Sequence, residues 1–190
     1  MDIGTIITLI IAVAVIGYGV AIYNALVAIK HNVSKAWSNI DVLLKQRHDE
    51  LPKLVEVCKQ YMGYEKETLE RVISARSAVF AAREAGDVGK LGAAETLLRR
   101  GLGNLFAVAE AYPDLKADEN FSHLQQRITA LENSIADRRE FYNETVNINN
   151  VRIEQFPDLI VAKWLNFGSR ELLEFSEEEK ADVDVKALFN

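Results

Sequence analysis

Apolar residues dominate the first thirty positions of the chain. From Ile3 to Ile29 the sequence contains no charged side chain, and this run exceeds the roughly 20 residues that an α-helix needs to cross a bilayer. Eleven Ile, Leu and Val residues between Ile3 and Ile22 favour insertion by about 3 to 7 kcal/mol. We therefore predict a retained membrane anchor over residues 1–29.

Two other interpretations of the apolar N-terminus fit less well. A buried helix of a soluble core is one of them. A cleavable signal peptide is the other, but it begins with basic residues and has a shorter apolar core, whereas Asp2 is the only charged side chain before this run. Basic residues follow the run, at Lys30, Lys35 and Lys45, and the basic flank tends to stay in the cytoplasm. We predict a single-pass protein of the cell membrane with its soluble part in the cytoplasm.

Apolar residues at steps of three and four continue after the anchor, as in a helix that packs along one face. The pattern passes Pro52 and resumes in phase, so we expect that proline to kink the helix and not to end it. We predict one bent helix, continuous with the anchor, that extends to Ala85. We call the row of residues on this packing face the stripe. Its first apolar positions are Val33, Trp37, Ile40, Leu44, Leu51, Leu54, Cys58 and Tyr61.

Two turns divide the rest of the chain. The glycine-rich sequence GDVGKLG at 86–92 predicts a reversal, followed by a helix over 93–111. Gly101 and Gly103 within that helix suggest close approach of a neighbour. The sequence YPDLKADE at 112–119 predicts the second turn, and a third long helix follows until Pro157 bends or breaks it. The apolar face of the second helix would contain Leu97, Leu98, Leu102, Leu105, Phe106 and Ala109.

The predicted fold is all-α: an N-terminal transmembrane helix continuous with an antiparallel bundle of long helices. We divide the chain into the anchor at 1–29, the helical bundle at 30–170 and a short C-terminal amphipathic helix or tail at 171–190. Ser176 with Glu179 three residues later is a capping-box pattern that marks the start of this last helix.

Four charged residues occupy stripe positions that otherwise face a partner helix: Arg47, Glu65, Arg76 and Arg138. Each must meet an opposite charge or a carbonyl, or else lie at the stripe edge with its charged end in water. A buried pair adds little net stability, yet it can fix the register of long helices that would otherwise slide. Both alternatives remain open from the sequence alone.

Composition argues against several classes of function. The net charge is -6, and Lys and Arg form no basic run, which disfavours nucleic acid as a partner. The single cysteine, Cys58, cannot form an intrachain disulfide and fits a packing position. None of His31, His48 and His123 follows a Glu by three residues, as helical di-metal sites require. We assign no metal ligand and no cofactor.

Catalytic motifs are also lacking. GDVGKLG has neither the spacing nor the Ser or Thr of a phosphate-binding P-loop, and Ser169 in NFGSRE has no nucleophile-elbow sequence around it. We therefore assign no catalytic residue and predict that the protein is not an enzyme.

Two aromatic anchors and an acidic run have alternative interpretations. Trp37 and Trp164 are expected to pack in a core, although Trp164 would also suit lipid headgroups or a partner helix. The run EFSEEEKADVD at 174–184 is expected to be a solvated helix start, with docking of a basic partner as the alternative.

Several stretches resemble the LemA family of bacterial and archaeal membrane proteins. They are YNALV at 23–27, AWSNIDVLLKQR at 36–47, AYPDLKADENF at 111–121, LENSIADRREFYN at 131–143 and FPDLIVAKWLNF at 156–167. They occur in the family's order over nearly the whole chain. The resemblance implies an N-terminal membrane anchor followed by an antiparallel bundle of long helices, in a family without an agreed molecular function.

Two functions are compatible with these patterns. The first is a membrane-anchored helical scaffold or adaptor that binds proteins, including further copies of itself as a homo-oligomer. The second, which the resemblance alone suggests, is an accessory or regulatory subunit of a membrane protease or envelope-stress system. The expected partners are thus the lipid bilayer, a second copy of the chain and other membrane proteins.

Overall fold

The computed structural model describes residues 2–174, and over that range it is all-α, as predicted, with no β-strand. The helices are α1 (Ile3–Tyr61), α2 (Lys66–Ala85), α3 (Val88–Ala109), α4 (Pro113–Ala117), α5 (Glu119–Glu154) and α6 (Asp158–Trp164). The proposed C-terminal helix, with Ser176 and Glu179, lies outside the described residues, as does all of the acidic run beyond Glu174.

Helix α1 joins the apolar N-terminal run to the amphipathic sequence behind it. It is 59 residues long and contains Pro52 in its interior, so the prediction that this proline does not end the helix is confirmed. Its first part is long and apolar enough to cross a membrane, and the side chains there are exposed. One N-terminal apolar helix is therefore present, as expected for a membrane anchor.

The prediction of a single helix to Ala85 is wrong, because α1 ends at Tyr61 and α2 begins only at Lys66. Gly63 lies in the intervening turn, and glycine inside a helix costs about 1 kcal/mol relative to alanine. The reversal also lets Leu69, Val72 and Val79 of α2 become buried. In an uninterrupted helix those side chains would have stayed in water.

The glycine-rich reversal after α2 is confirmed, although it is tighter than predicted. Gly86 adopts a left-handed conformation with φ of 65°, which favours glycine because it has no Cβ. Asp87 caps α3 by accepting a hydrogen bond from the backbone N–H of Lys90 at 2.9 Å, so α3 begins at Val88 and not at Ala93. Within α3, Leu97 is exposed, contrary to the predicted face.

Only one of the two predicted close approaches in α3 is present. A Cβ at Gly101 would lie 3.4 Å from Cγ2 of Val72 in α2, whereas a Cβ at Gly103 would meet nothing within 4 Å. Near the start of α3, a Cβ at Gly92 would lie 2.9 Å from the carbonyl oxygen of Glu174. Gly92 and Gly101 are therefore positions where backbone packs closely.

The chain forms two compact units, and both α1 and α5 contribute to each. The first unit comprises residues 2–39 and 140–172; the second comprises residues 40–139 together with 173 and 174. The division into an anchor at 1–29, a bundle at 30–170 and a tail at 171–190 stays a prediction.

In the first unit, α1 and α5 are antiparallel. Ile22 of α1 packs with Ile153 of α5. Trp37 lies later in α1, and its ring centroid is 5.4 Å from that of Tyr142, which lies earlier in α5. Trp37 is therefore a packing residue, as predicted. Trp164 is 81% exposed, so the prediction that it packs in a core is wrong and the alternatives of lipid or a partner remain.

An extended segment after α6 is tied to α5 in the first unit. Asn150 makes two hydrogen bonds of 2.9 Å with the backbone of Arg170, one donated by its Nδ2 to the carbonyl and one accepted by its Oδ1. Asn149 donates to the carbonyl of Gly168 at 3.3 Å, and the hydroxyl of Tyr142 donates to that of Glu171 at 3.0 Å. Side chains of α5 thus satisfy backbone groups that have no helical partner.

In the second unit, ion pairs and hydrogen bonds between helices show in which direction each helix runs. Arg83 of α2 pairs with Asp41 of α1 at 2.5 Å, and Arg76, earlier in α2, contacts His48, later in α1, so α1 and α2 are antiparallel. Tyr61 at the end of α1 donates to Asp118 at 3.0 Å, just before α5. The predicted antiparallel packing of long helices is confirmed.

Candidate functional site

The most unusual group of side chains is a buried charge cluster in the second unit, formed by Arg47, Glu95 and Glu132. Nη1 of Arg47 donates to Oε1 of Glu132 at 2.5 Å, and Nη2 donates to Oε1 of Glu95. The side chain of Arg47 is only 1% exposed, compared with 6% for Glu95 and 16% for Glu132. Arg47 therefore pairs with opposite charges, as one of the two sequence hypotheses held.

Three helices supply the cluster, one residue each. Arg47 continues the apolar stripe of α1 between Leu44 and Leu51, both of which are buried. Glu95 occupies the corresponding inward position of α3, and Glu132 comes from α5. Side chains at these positions meet because the helices pack along their inward faces. The cluster thus links α1, α3 and α5 through one guanidinium.

Electrostatics hold the guanidinium in its charged form. Burial by itself lowers the pKa of Arg47, but the attraction of Glu95 and Glu132 and their hydrogen bonds outweigh it, so that the pKa lies above its ordinary value. Desolvation of the three charges opposes this attraction. The cluster is suited to fixing the register of the three helices, since a slide of one turn would part the charges.

The space beside the cluster is too small for a substrate. It measures about 10 Å³ and is lined by the two carboxylates together with Arg99, Arg139 and apolar parts of α5. A volume of that size holds about one water molecule. Among the residues that the structure describes, this space beside the cluster is therefore too small for an organic molecule.

A second buried carboxylate lies one turn further along α1. Glu50 is buried, with Lys53 at 3.3 Å on the same helix and Arg127 of α5 at 3.1 Å. Both cations are more than half exposed, so this group reaches water on one side. It adds a second link between α1 and α5 at the same end of the second unit.

His48 and Arg76 form a third polar contact. Nε of Arg76 donates to the His48 carbonyl at 3.0 Å, and Nη2 lies 2.7 Å from His48 Nε2. The His48 ring stacks on Phe80 at 4.8 Å. Burial, followed by the neighbouring Arg76 charge, lowers the pKa of His48. The neutral ring accepts the Arg76 hydrogen bond through Nε2, which places its own proton on Nδ1.

The other charged stripe residues have mixed outcomes. Arg76 meets a carbonyl, as expected, and Glu65 accepts a hydrogen bond from the hydroxyl of Tyr112 at 3.3 Å. Arg138 is exposed, as the alternative of a stripe-edge position with its charged end in water held, whereas its neighbour Arg139 is buried. The inward face of α5 is otherwise the predicted one, with Ile128, Ile135 and Tyr142 buried, and it also includes Arg139.

Residues considered for catalysis or metal binding are scattered. Cys58 is fully buried and burial raises the pKa of its thiol to about 12, which fits the predicted packing role. Ser169 lies in the extended segment of the first unit, and GDVGKLG forms the α2–α3 turn at Gly86 and Asp87 and then the first residues of α3. Among residues 2–174, no group of three or more His, Cys, Asp or Glu side chains is arranged to hold a metal ion.

Sequence reasoning missed Glu95, Glu132 and Arg139 as inward charges. The available signal was the spacing itself, because Ile128, Glu132, Ile135, Arg139 and Tyr142 follow steps of three and four. The same steps also reach Leu131, which is apolar, in place of Glu132, and Arg138 in place of Arg139. A buried Arg47 requires a carboxylate from another helix, and that requirement points to inward glutamates.

Comparisons with known proteins identify a family for this chain. The LemA family profile matches residues 36–187. The protein named LemA from Metamycoplasma hominis is 28% identical over 169 residues, covering 88% of this chain and 75% of that protein.

Magnetosome proteins are similar as well. Magnetosome protein MamQ 2 of Paramagnetospirillum magneticum is 23% identical over 188 residues, and magnetosome protein MamQ of Magnetospirillum gryphiswaldense is 25% identical over 186 residues. Each match covers 86% of this chain and 68% of the relative. The family match spans most of the chain and includes all three members of the charge cluster, and the chain belongs to the LemA family.

Proposed function

We propose that this protein is a membrane-anchored helical scaffold or adaptor that binds other proteins, in the first instance further copies of itself. The observation that carries the proposal is the continuity of α1. One helix of 59 residues begins in the uncharged apolar run and ends among the packed residues of the second unit. A helix without a break transmits position from the bilayer to the packed helices more faithfully than a flexible linker does.

An exposed apolar patch supports self-assembly. Phe141, Ile148 and Val151 of α5 are each between 45% and 48% exposed. Their spacing of seven and three residues places them on one helix face, opposite the buried face that contains Tyr142, Val146 and Asn149. Apolar patches of this kind commonly mark contacts between proteins.

Other features support a role without catalysis. The buried charges of the second unit are paired and adjoin a space of about 10 Å³, and a catalytic site needs convergent titratable groups in a pocket. We therefore propose binding and positioning as the activity, with the packed helices on the cytoplasmic side of the cell membrane and no nucleic acid among the partners.

The oligomeric state of the full chain tests this proposal. The protein is extracted in detergent and its mass measured by size exclusion with light scattering, with the detergent contribution subtracted. We expect a discrete homomer that the paired substitutions Ile148→Lys and Val151→Lys reduce to a monomer. Gln126→Lys, at an exposed position of α5 outside the patch, serves as the matched control and should leave the mass unchanged.

A monomeric wild-type chain would contradict self-assembly and would favour the second function. An accessory subunit of a membrane protease or envelope-stress system would increase in mass only when its partner is added. Crosslinking in intact cells from exposed positions around Ile148, followed by mass spectrometry, separates the two: recovery of this chain alone supports assembly, and recovery of a different membrane protein supports the accessory role.

A further inference from the structure

Helix α6 exposes large apolar side chains that its own fold does not cover. Trp164 and Phe156 are both 81% exposed and Ile160 is 60% exposed. Ile160 and Trp164 are one turn apart on one face of the helix, and Phe156 lies in the turn just before the helix begins. Leaving large apolar groups in water is unfavourable.

The opposite face of α6 is fixed to α1 beside the end of the apolar run. Ala162 is buried in a cluster with Ile22, Leu26 and Ile153, and Val161 packs against the same cluster. From Ile3 to Ile22, α1 rises by about 30 Å at 1.5 Å per residue, which matches the thickness of a bilayer's hydrocarbon layer. Residues packed against Ile22 and Leu26 therefore lie at the level of the lipid headgroups.

A basic cavity of about 410 Å³ lies in the same unit, also against this part of α1. Its charged and titratable lining groups are Lys30, His31 and Arg170, and no carboxylate lines it. Tyr23 and Phe167, whose rings are 6.1 Å apart, form an apolar part of the wall. The cavity thus combines cations with aromatic rings, as amphipathic ligands with an anionic head require.

We propose that this region of the first unit is a binding site for an anionic phospholipid. The apolar face formed by Ile160 and Trp164 enters the interfacial layer of the leaflet, and Lys30 and Arg170 hold the phosphate of the headgroup in the cavity. The occupant is a lipid and not a partner helix, because the same cluster that seats α6 includes residues of the uncharged run. The inference rests on the membrane anchor of the proposed function and adds a lipid specificity to it.

The depth of Trp164 provides the first test. The full chain carrying Trp37→Phe, which leaves Trp164 as its single tryptophan, is reconstituted in bilayer discs of phosphatidylcholine brominated on its acyl chains. We expect the bromine to quench Trp164 and a water-soluble quencher to have little access. Strong quenching from water with none from bromine would overturn the proposal, and so would protection from both quenchers, the result expected for a protein partner.

Lipid selectivity provides the second test. The full chain is reconstituted in bilayer discs that contain both phosphatidylglycerol and phosphatidylcholine. Native mass spectrometry of the released chain then compares the number of molecules of each lipid that stay bound. Each basic group near an anionic lipid contributes a factor of about five in affinity, so Lys30→Gln with Arg170→Gln should weaken phosphatidylglycerol retention about 25-fold. Lys35→Gln, an exposed position of α1 outside the cavity lining, is the control and should retain wild-type selectivity.

Two further results would overturn the lipid assignment. Equal retention of the two lipids would remove the headgroup selectivity. Displacement of phosphatidylglycerol by inorganic phosphate alone would identify a free anion, and not a lipid, as the ligand. Failure of the anchor itself is recognised separately: a chain released from membranes by alkaline carbonate would refute the proposed function, whereas an integrated homomer with water-exposed Trp164 would refute only this inference.

Discussion

Replacing Arg47 by methionine removes the shared cation of the buried charge cluster and keeps most of the side-chain length. Glu95, with 6% of its side chain exposed, loses its ion pair with Arg47, whereas Glu132 at 16% has a route to water. Removal of one partner of a buried pair costs about 3–5 kcal/mol, because the remaining charge is desolvated without compensation. We expect a loss in the free energy of unfolding of about 3–4 kcal/mol.

This loss is measurable as a thermal shift. For a chain of this size, 1 kcal/mol corresponds to about 2–4 °C in Tm, so Arg47→Met should lower the Tm by about 6–16 °C. Circular dichroism of the full chain in one detergent, with wild type and variant heated in parallel, gives the value. Arg71→Met, which breaks the exposed pair with Glu67, is the control and should change stability by less than about 0.5 kcal/mol.

Two companion measurements separate an uncompensated charge from simple loss of packing. Combining Arg47→Met with Glu95→Leu and Glu132→Leu removes all three charges and should restore most of the loss. The Arg47→Met variant should also lose less stability relative to wild type in mild acid than in alkali, because an unpaired buried carboxylate can take up a proton. A Tm within about 2 °C of wild type, or a triple variant less stable than the single one, would refute the reasoning.

Four other positions give direct tests. Gly92→Ala should lower the free energy of unfolding by about 1–3 kcal/mol, because its Cβ would lie 2.9 Å from the Glu174 carbonyl oxygen. Gly103→Ala, at an exposed position, should raise the free energy of unfolding by about 0.5–1 kcal/mol. The reverse order of the two variants in thermal melts would contradict this. Burial and Arg76 lower the pKa of His48 below 6.5 in the folded chain. As the pH falls, the His48 ring of the unfolded chain therefore takes up a proton before that of the folded chain, so the free energy of unfolding should fall below about pH 6.5. His48→Asn should flatten that slope in melts at stepped pH. Cys58, whose pKa burial raises to about 12, should react with a thiol-alkylating reagent only after denaturation, and rapid native labelling would refute its burial.

Helical periodicity predicted the elements better than their boundaries. The continuity of α1 past Pro52 could be predicted because the apolar spacing resumes in phase after the proline. The end of α1 at Tyr61 could not, because Gly63 is one weak helix breaker in a sequence whose spacing continues through Leu69 and Val72. What decides that turn is burial of α2 in the second unit, a tertiary effect that a local pattern does not contain.

The charge cluster was half predictable. Arg47 was conspicuous because it interrupts a stripe of buried leucines. Glu95 and Glu132 were not, since glutamate is common on exposed helix faces, and the spacing that places Glu132 on the inward face is equally compatible with Leu131. Choosing between Arg138 and Arg139 was not possible from spacing, because steps of three and four from the buried Ile135 reach either one. The inward face becomes identifiable only once the partner of Arg47 is required.

The three-way sharing of Arg47 has a consequence for how related sequences diverge. Each of α1, α3 and α5 supplies one member, so a substitution of Arg47 alone leaves two carboxylates without the cation that they share. Positions 47, 95 and 132 should therefore change together among relatives, being either all ionic or all apolar. A chimera of this chain that takes one of the three helices from a relative with apolar residues at these positions should fold poorly until the other two positions are also made apolar.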